Sequence, residues 1–133
     1  MSMDGNPDEP TQALLLVLTR PVSPDVDGEF NTWYDDVHLP EVVDLIDGVT
    51  GATRYRLRDP FDREPNDHAD KGHEQAGPYG YPYAALYSIA SRDPSDVVKD
   101  ILRHSSDGGF TMSDALDTRS LRPTFLLLDS LES

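Results

Sequence analysis

Residues 12–19 form a near-continuous apolar run of strand length, closed by Arg20-Pro21. Such a run suits a strand covered on both faces. Pro24-Asp25 then opens a helix in which Val26, Phe30, Trp33 and Val37 recur at three- and four-residue spacing and so share one stripe. Pro40 lacks an amide donor, and its ring disfavours helical backbone at the residue before it, which predicts that this helix stops or kinks near Leu39. A short second helical piece is expected over residues 40–46, ended by Asp47-Gly48. Residues 49–57 alternate, with Val49, Gly51, Thr53, Tyr55 and Leu57 on one side and Thr50, Ala52, Arg54 and Arg56 on the other. That period of two predicts a second strand.

Residues 59–80 hold prolines, glycines, acids and two histidines without periodicity, which reads as a long loop. A third strand is expected over residues 81–90, with Tyr81, Tyr83, Ala85, Tyr87 and Ile89 on one face. Asp93-Pro94-Ser95-Asp96 supplies a capping carboxylate, a proline at the first helical position and a first-turn acid. Val97, Val98, Ile101 and Leu102 continue that helix, and Gly108-Gly109 ends it. Residues 110–120 make a connector with room for one more helical turn, and residues 122–131, containing Phe125-Leu126-Leu127-Leu128, supply a fourth strand. Residues 1–11 have no apolar face and read as a flexible tail.

The order strand, helix, strand, strand, helix, strand predicts an α+β, ferredoxin-like fold: a four-stranded antiparallel sheet with two helices on one face, within a single domain over residues 12–131. Strand one is apolar on both sides and strand four nearly so, which leaves a greasy sheet face without helices. A second copy of the chain is the expected cover, the two sheets closing into a barrel.

Composition narrows the function classes. The formal net charge is −14, from 25 acidic against 11 basic residues, and such a surface repels phosphate backbones and anionic headgroups. Neither nucleic acid nor a membrane is an expected partner. The chain has no cysteine, which removes disulfides, thiolate nucleophiles and sulfur-ligated metals. Its first residues do not read as a signal peptide, its apolar runs are too short to cross a bilayer, and a cytoplasmic location is the expectation.

His38 is the one histidine inside a periodic, partly apolar segment, since His68 and His73 fall in the loop and His104 near the end of the second helix. It lies one helical turn beyond Tyr34 and three residues beyond Asp35, so both share its face. A carboxylate there favours the charged imidazole and fixes its tautomer, whereas burial among aromatics does the opposite. The plainer reading is a histidine that bonds a carbonyl freed by Pro40. Trp33 lies in the buried stripe and reads first as core, while Tyr34, offset from it, is the better pocket-lining side chain. Tyr83 belongs to an aromatic row that serves either cross-strand packing or a ligand. Arg54 and Arg56, midway along a strand, need solvent, an acid or an anionic ligand. Residues 67–74 contain oxygen and nitrogen ligands but match no recognised metal spacing, so no metal is expected.

The segment Trp33-Tyr34-x-x-x-His38-x-Pro40, followed by Gly48-Val49-x-x-Ala52-x-x-Tyr55, resembles EthD-like proteins of the dimeric α/β barrel superfamily. The resemblance spans most of residues 12–131 and implies a homodimer with a hydrophobic cavity in each subunit. Relatives of that kind include polyketide cyclases, lactone isomerases, cofactor-free monooxygenases and haem-dependent enzymes. The expected function is a cofactor-independent isomerase, cyclase or lyase acting on a hydrophobic carbonyl compound. His38 would move the proton, Tyr34 hold the oxygen and Asp35 orient the imidazole, with Trp33, Tyr83, Arg54 and Tyr55 as substrate contacts. The alternative is a non-catalytic binding or accessory protein for an apolar small molecule.

Overall fold

The computed structural model describes residues 11–58, 60 and 80–131. The tail over residues 1–10 and nearly all of the 59–80 loop, with His68, His73 and the candidate metal ligands of residues 67–74, lie outside the described residues. Strands β1 (Thr11–Thr19), β2 (Val49–Arg56), β3 (Tyr83–Ser91) and β4 (Thr124–Asp129) form one antiparallel sheet in the order β2-β3-β1-β4. Helical chain fills both crossovers: α1 (Asp27–Trp33) and α2 (Leu39–Leu45) after β1, and α3 (Pro94–Asp107) after β3. The arrangement is α+β and consistent with a ferredoxin-like fold. Among the described residues no helix is long and apolar enough to cross a membrane.

The sheet register sorts the apolar run of β1 into two faces. Leu15 pairs with Tyr87 and Leu127, and Val17 with Ala85 and Phe125, so these side chains share the face that carries the helices. There they pack with Phe30, Tyr34, Val42, Val97 and Ile101 in one core. Leu14, Leu16 and Leu18 alternate to the other face, beside Leu86, Leu126 and Leu128.

Four expectations need correction. The first helix does not break at Pro40. Between α1 and α2 the chain makes a π turn over Tyr34–His38, in which the Leu39 N–H bonds the Tyr34 carbonyl five residues back. The wider turn absorbs a proline that an ideal α-helix would reject, because proline offers no N–H and crowds the carbonyl four residues before it. In β2 a register shift between Val49 and Gly51 reverses the alternation, so Val49, Ala52 and Arg54 all face the helices while Thr53 and Tyr55 face away. Asp93 does precede α3, but its side chain makes no capping bond; its own N–H donates instead to Ser91 Oγ at 3.0 Å. The connector after α3 forms no further helical turn. It is pinned by the buried Asp117 carboxylate, which accepts the N–H groups of Arg119, Ser120 and Leu121 and the Arg20 Nε–H at 2.9–3.2 Å.

Candidate functional site

The π turn decides where His38 points. In a straight α-helix residues five apart are rotated by roughly 140° and face different ways, but the extra residue in this turn brings Trp33 and His38 nearly into eclipse. Their rings stack at 4.7 Å with 19° between planes. The edge of Tyr34 closes a second side at 5.0 Å, and Phe110, from the segment after α3, a third at 5.4 Å. His38 is left 8% exposed, and its Nδ1 is buried with no hydrogen-bond partner among the described residues.

Burial in this aromatic surround drives the imidazole pKa down from 6.5 to about 4; the charge of Glu41 pulls it back up and that of Arg54 adds to the fall. His38 is therefore neutral at physiological pH.

Phe110 is held in place by its neighbour Thr111. The Trp33 Nε1–H donates to the Thr111 carbonyl at 2.8 Å, and the Glu41 carboxylate accepts the Thr111 N–H at 2.7 Å and its hydroxyl at 2.8 Å. The segment thus straps across the His38 ring from α3 to the first helical layer. It starts at Gly108, whose φ of +88° suits glycine, and Gly109, where any Cβ would sit 2.5 Å from the His104 ring. Gly108-Gly109 before a lone aromatic was the sequence signal for this wall.

Sequence reasoning placed Asp35 beside the imidazole, but the structure gives it to another partner. Asp35 Oδ1 accepts from Arg54 Nη1 at 3.0 Å, and Arg54 Nη2 donates to Asn31 Oδ1 at 2.9 Å. The Asn31 amide in turn donates to the Tyr83 hydroxyl at 3.0 Å, and that hydroxyl donates to Asp27 Oδ1 at 2.6 Å. Asp27, Asn31 and Asp35 stand four residues apart along one helical edge, a spacing visible in the sequence. The Arg54 guanidinium lies over Tyr34 at 4.4 Å, Tyr83 at 5.1 Å and Phe30 at 5.6 Å.

Tyr34 is not offset from the buried stripe but central to it, 2% exposed, with the side chains of Tyr87 and Thr19 beside its hydroxyl. Burial raises its pKa, and raises that of Tyr87 well above the ordinary value. Tyr83 is raised as well, by desolvation and then by its bond to Asp27. Thus His38, Trp33, Tyr34, Arg54, Asp35 and Tyr83 gather in one aromatic and polar cluster. Tyr55 does not join them, because the bulge in β2 turns it to the helix-free face, where it is half exposed. Among the described residues no group of three or more His, Asp or Glu is placed to hold a metal.

Compared with known proteins, the chain matches no family model and no curated sequence.

Proposed function

We propose that the chain is a cofactor-independent isomerase, cyclase or lyase for a hydrophobic carbonyl compound, with His38 as the group that moves the proton. The observation that carries this reading is the unpartnered Nδ1 of a buried, neutral imidazole. Buried polar atoms are nearly always bonded, and leaving one unpaired costs about 1–3 kcal/mol. A catalytic role is one of the reasons such an exception is kept. The aromatic rings around His38 suit a flat, apolar molecule.

Removal of a proton next to a carbonyl breaks a C–H bond, leaves the electron pair on an enolate oxygen and places the proton on the imidazole. Return of that proton to a different carbon completes an isomerisation with nothing added or lost. An imidazolium of low pKa gives its proton back readily, and negative charge developing on the substrate lifts its basicity during abstraction. Wild-type protein screened by thermal shift against aromatic ketones and polyketide-like compounds, then assayed for product, should show turnover that falls about 10²–10⁴-fold in His38→Ala with the fold retained. Normal turnover in that variant removes the mechanism.

The low basicity of His38 also favours a second reading, an accessory protein that holds the same ligand unchanged, for which thermal shifts appear without product. In either case we assign the chain to the EthD-like group and place a second copy on the helix-free face, forming the dimeric barrel.

A further inference from the structure

Arg54 Nε is, like His38 Nδ1, buried without a hydrogen-bond partner among the described residues. The Arg54 side chain is 11% exposed, and its two Nη groups are spent on Asn31 and Asp35. Asn31 is neutral. Asp27, the other carboxylate in the network, is taken up by Tyr83 and by Asn31. Among the described residues the carboxylate bonded to the guanidinium is Asp35, whose side chain is 56% exposed and so partly screened by water. The guanidinium lies against three aromatic rings, and Tyr34, which it covers at 4.4 Å, meets His38 at 5.0 Å as well as Phe30 and Trp33. The Tyr34 hydroxyl belongs to a side chain only 2% exposed, beside Tyr87 and Thr19, whereas Arg54 Nε is the unpartnered donor.

We propose that Arg54 is the anion-binding residue of this site. Its Nε–H takes an oxygen of the substrate, and the substrate is a flat apolar molecule whose oxygen carries negative charge or develops it, as a carboxylate, phenolate or enolate does. The proposal deepens the reading of His38 as the proton-moving group and rests on it for the reaction, though not for the binding. Asn31 acts as the positioning residue, its Oδ1 holding Nη2 and so the plane of the guanidinium, whereas Asp35 on Nη1 is the anion that competes with the substrate.

The test compares equilibrium binding of 2-naphthoate with that of its uncharged analogue 2-acetylnaphthalene, read by the fluorescence of Trp33, the single tryptophan of the chain. Net charge of −14 works against any non-specific uptake of the carboxylate. Wild-type protein should bind naphthoate at least about tenfold more tightly than the ketone, and Arg54→Met should abolish that preference. Asp35→Asn, at a largely exposed side chain where folding is not at stake, removes the competing carboxylate and should tighten naphthoate severalfold while leaving the ketone unchanged. A purely structural Arg54–Asp35 pair would give no such gain. Equal affinity for the two probes, failure of naphthoate to bind, or an unchanged naphthoate affinity in Asp35→Asn overturns the proposal. His38→Ala should keep the carboxylate preference, so loss of the His38 mechanism, read by turnover, and loss of the Arg54 assignment are separate results.

Discussion

At the level of single residues, His38 owes its properties to what surrounds it more than to its own chemistry. Its position was legible in the sequence, because a histidine four residues beyond Tyr34 and two before a proline falls inside a periodic aromatic segment. Its electrostatic state was not, because Asp35 could equally reach the imidazole or a strand residue, and the phase of β2 decides for Arg54. The consequence is measurable as stability. The folded pKa of about 4 lies below the ordinary 6.5, so as pH falls the unfolded chain takes up a proton first. The contribution of the neutral imidazole is fully present above about pH 6.5 and is lost as pH falls through about 4. The shift corresponds to about 3 kcal/mol at most. Urea unfolding at pH 7.5 and at pH 4.5 should show a larger loss of stability for wild-type protein than for His38→Gln, which has no proton to take up. Parallel losses in the two proteins would place the imidazole in contact with water.

Secondary-structure elements position this histidine through two devices, one covalent in origin and one not. The sequence predicts a stop or kink near Leu39 with a second helical piece after it, and the chain joins the two pieces through a π turn over Tyr34–His38. The boundaries of α3 were legible because Pro94 and the Gly108-Gly109 pair punctuate the chain. The strap over Phe110 and Thr111 is a long-range feature: Glu41 and Thr111 are 70 residues apart, and no local pattern announces their contact. Glu41→Gln should weaken both bonds to Thr111, costing about 1 kcal/mol because the pair is exposed, and should free the Phe110 edge of His38. Modification of His38 by diethyl pyrocarbonate, followed by mass spectrometry of its peptide, is expected to accelerate severalfold in the variant. An unchanged modification rate would show that the strap does not control access.

For the molecule as a whole, the open question is the sheet face that carries no helix. Leu14, Leu126 and Leu128 lie there 39–44% exposed in neighbouring registers on the paired strands β1 and β4, and Tyr55, 50% exposed, lies on the same face two strands away on β2. Scattered apolar residues are ordinary on a surface, but a contiguous row across a sheet marks an interaction surface. The run of leucines in β1 announced this face, whereas the bulge that adds Tyr55 to it left no mark beyond Gly51 in an otherwise regular strand. Under the proposed two-fold dimer each patch meets its own copy, so one substitution alters both halves of the interface. Leu126→Lys therefore places two cations in the middle of the apolar contact. Light scattering on the wild-type protein should give twice the chain mass of 14.8 kDa at micromolar concentration, and the variant the single mass. Burying an unpaired charge at the centre of an interface weakens association by at least about 2 kcal/mol, or some thirtyfold, and the doubled site makes that a lower bound. The His38 cluster lies on the opposite face of the sheet, so the monomeric variant should keep its aromatic packing and its near-ultraviolet circular dichroism. A wild-type protein that stays monomeric up to millimolar concentration would leave the leucine face to a different partner.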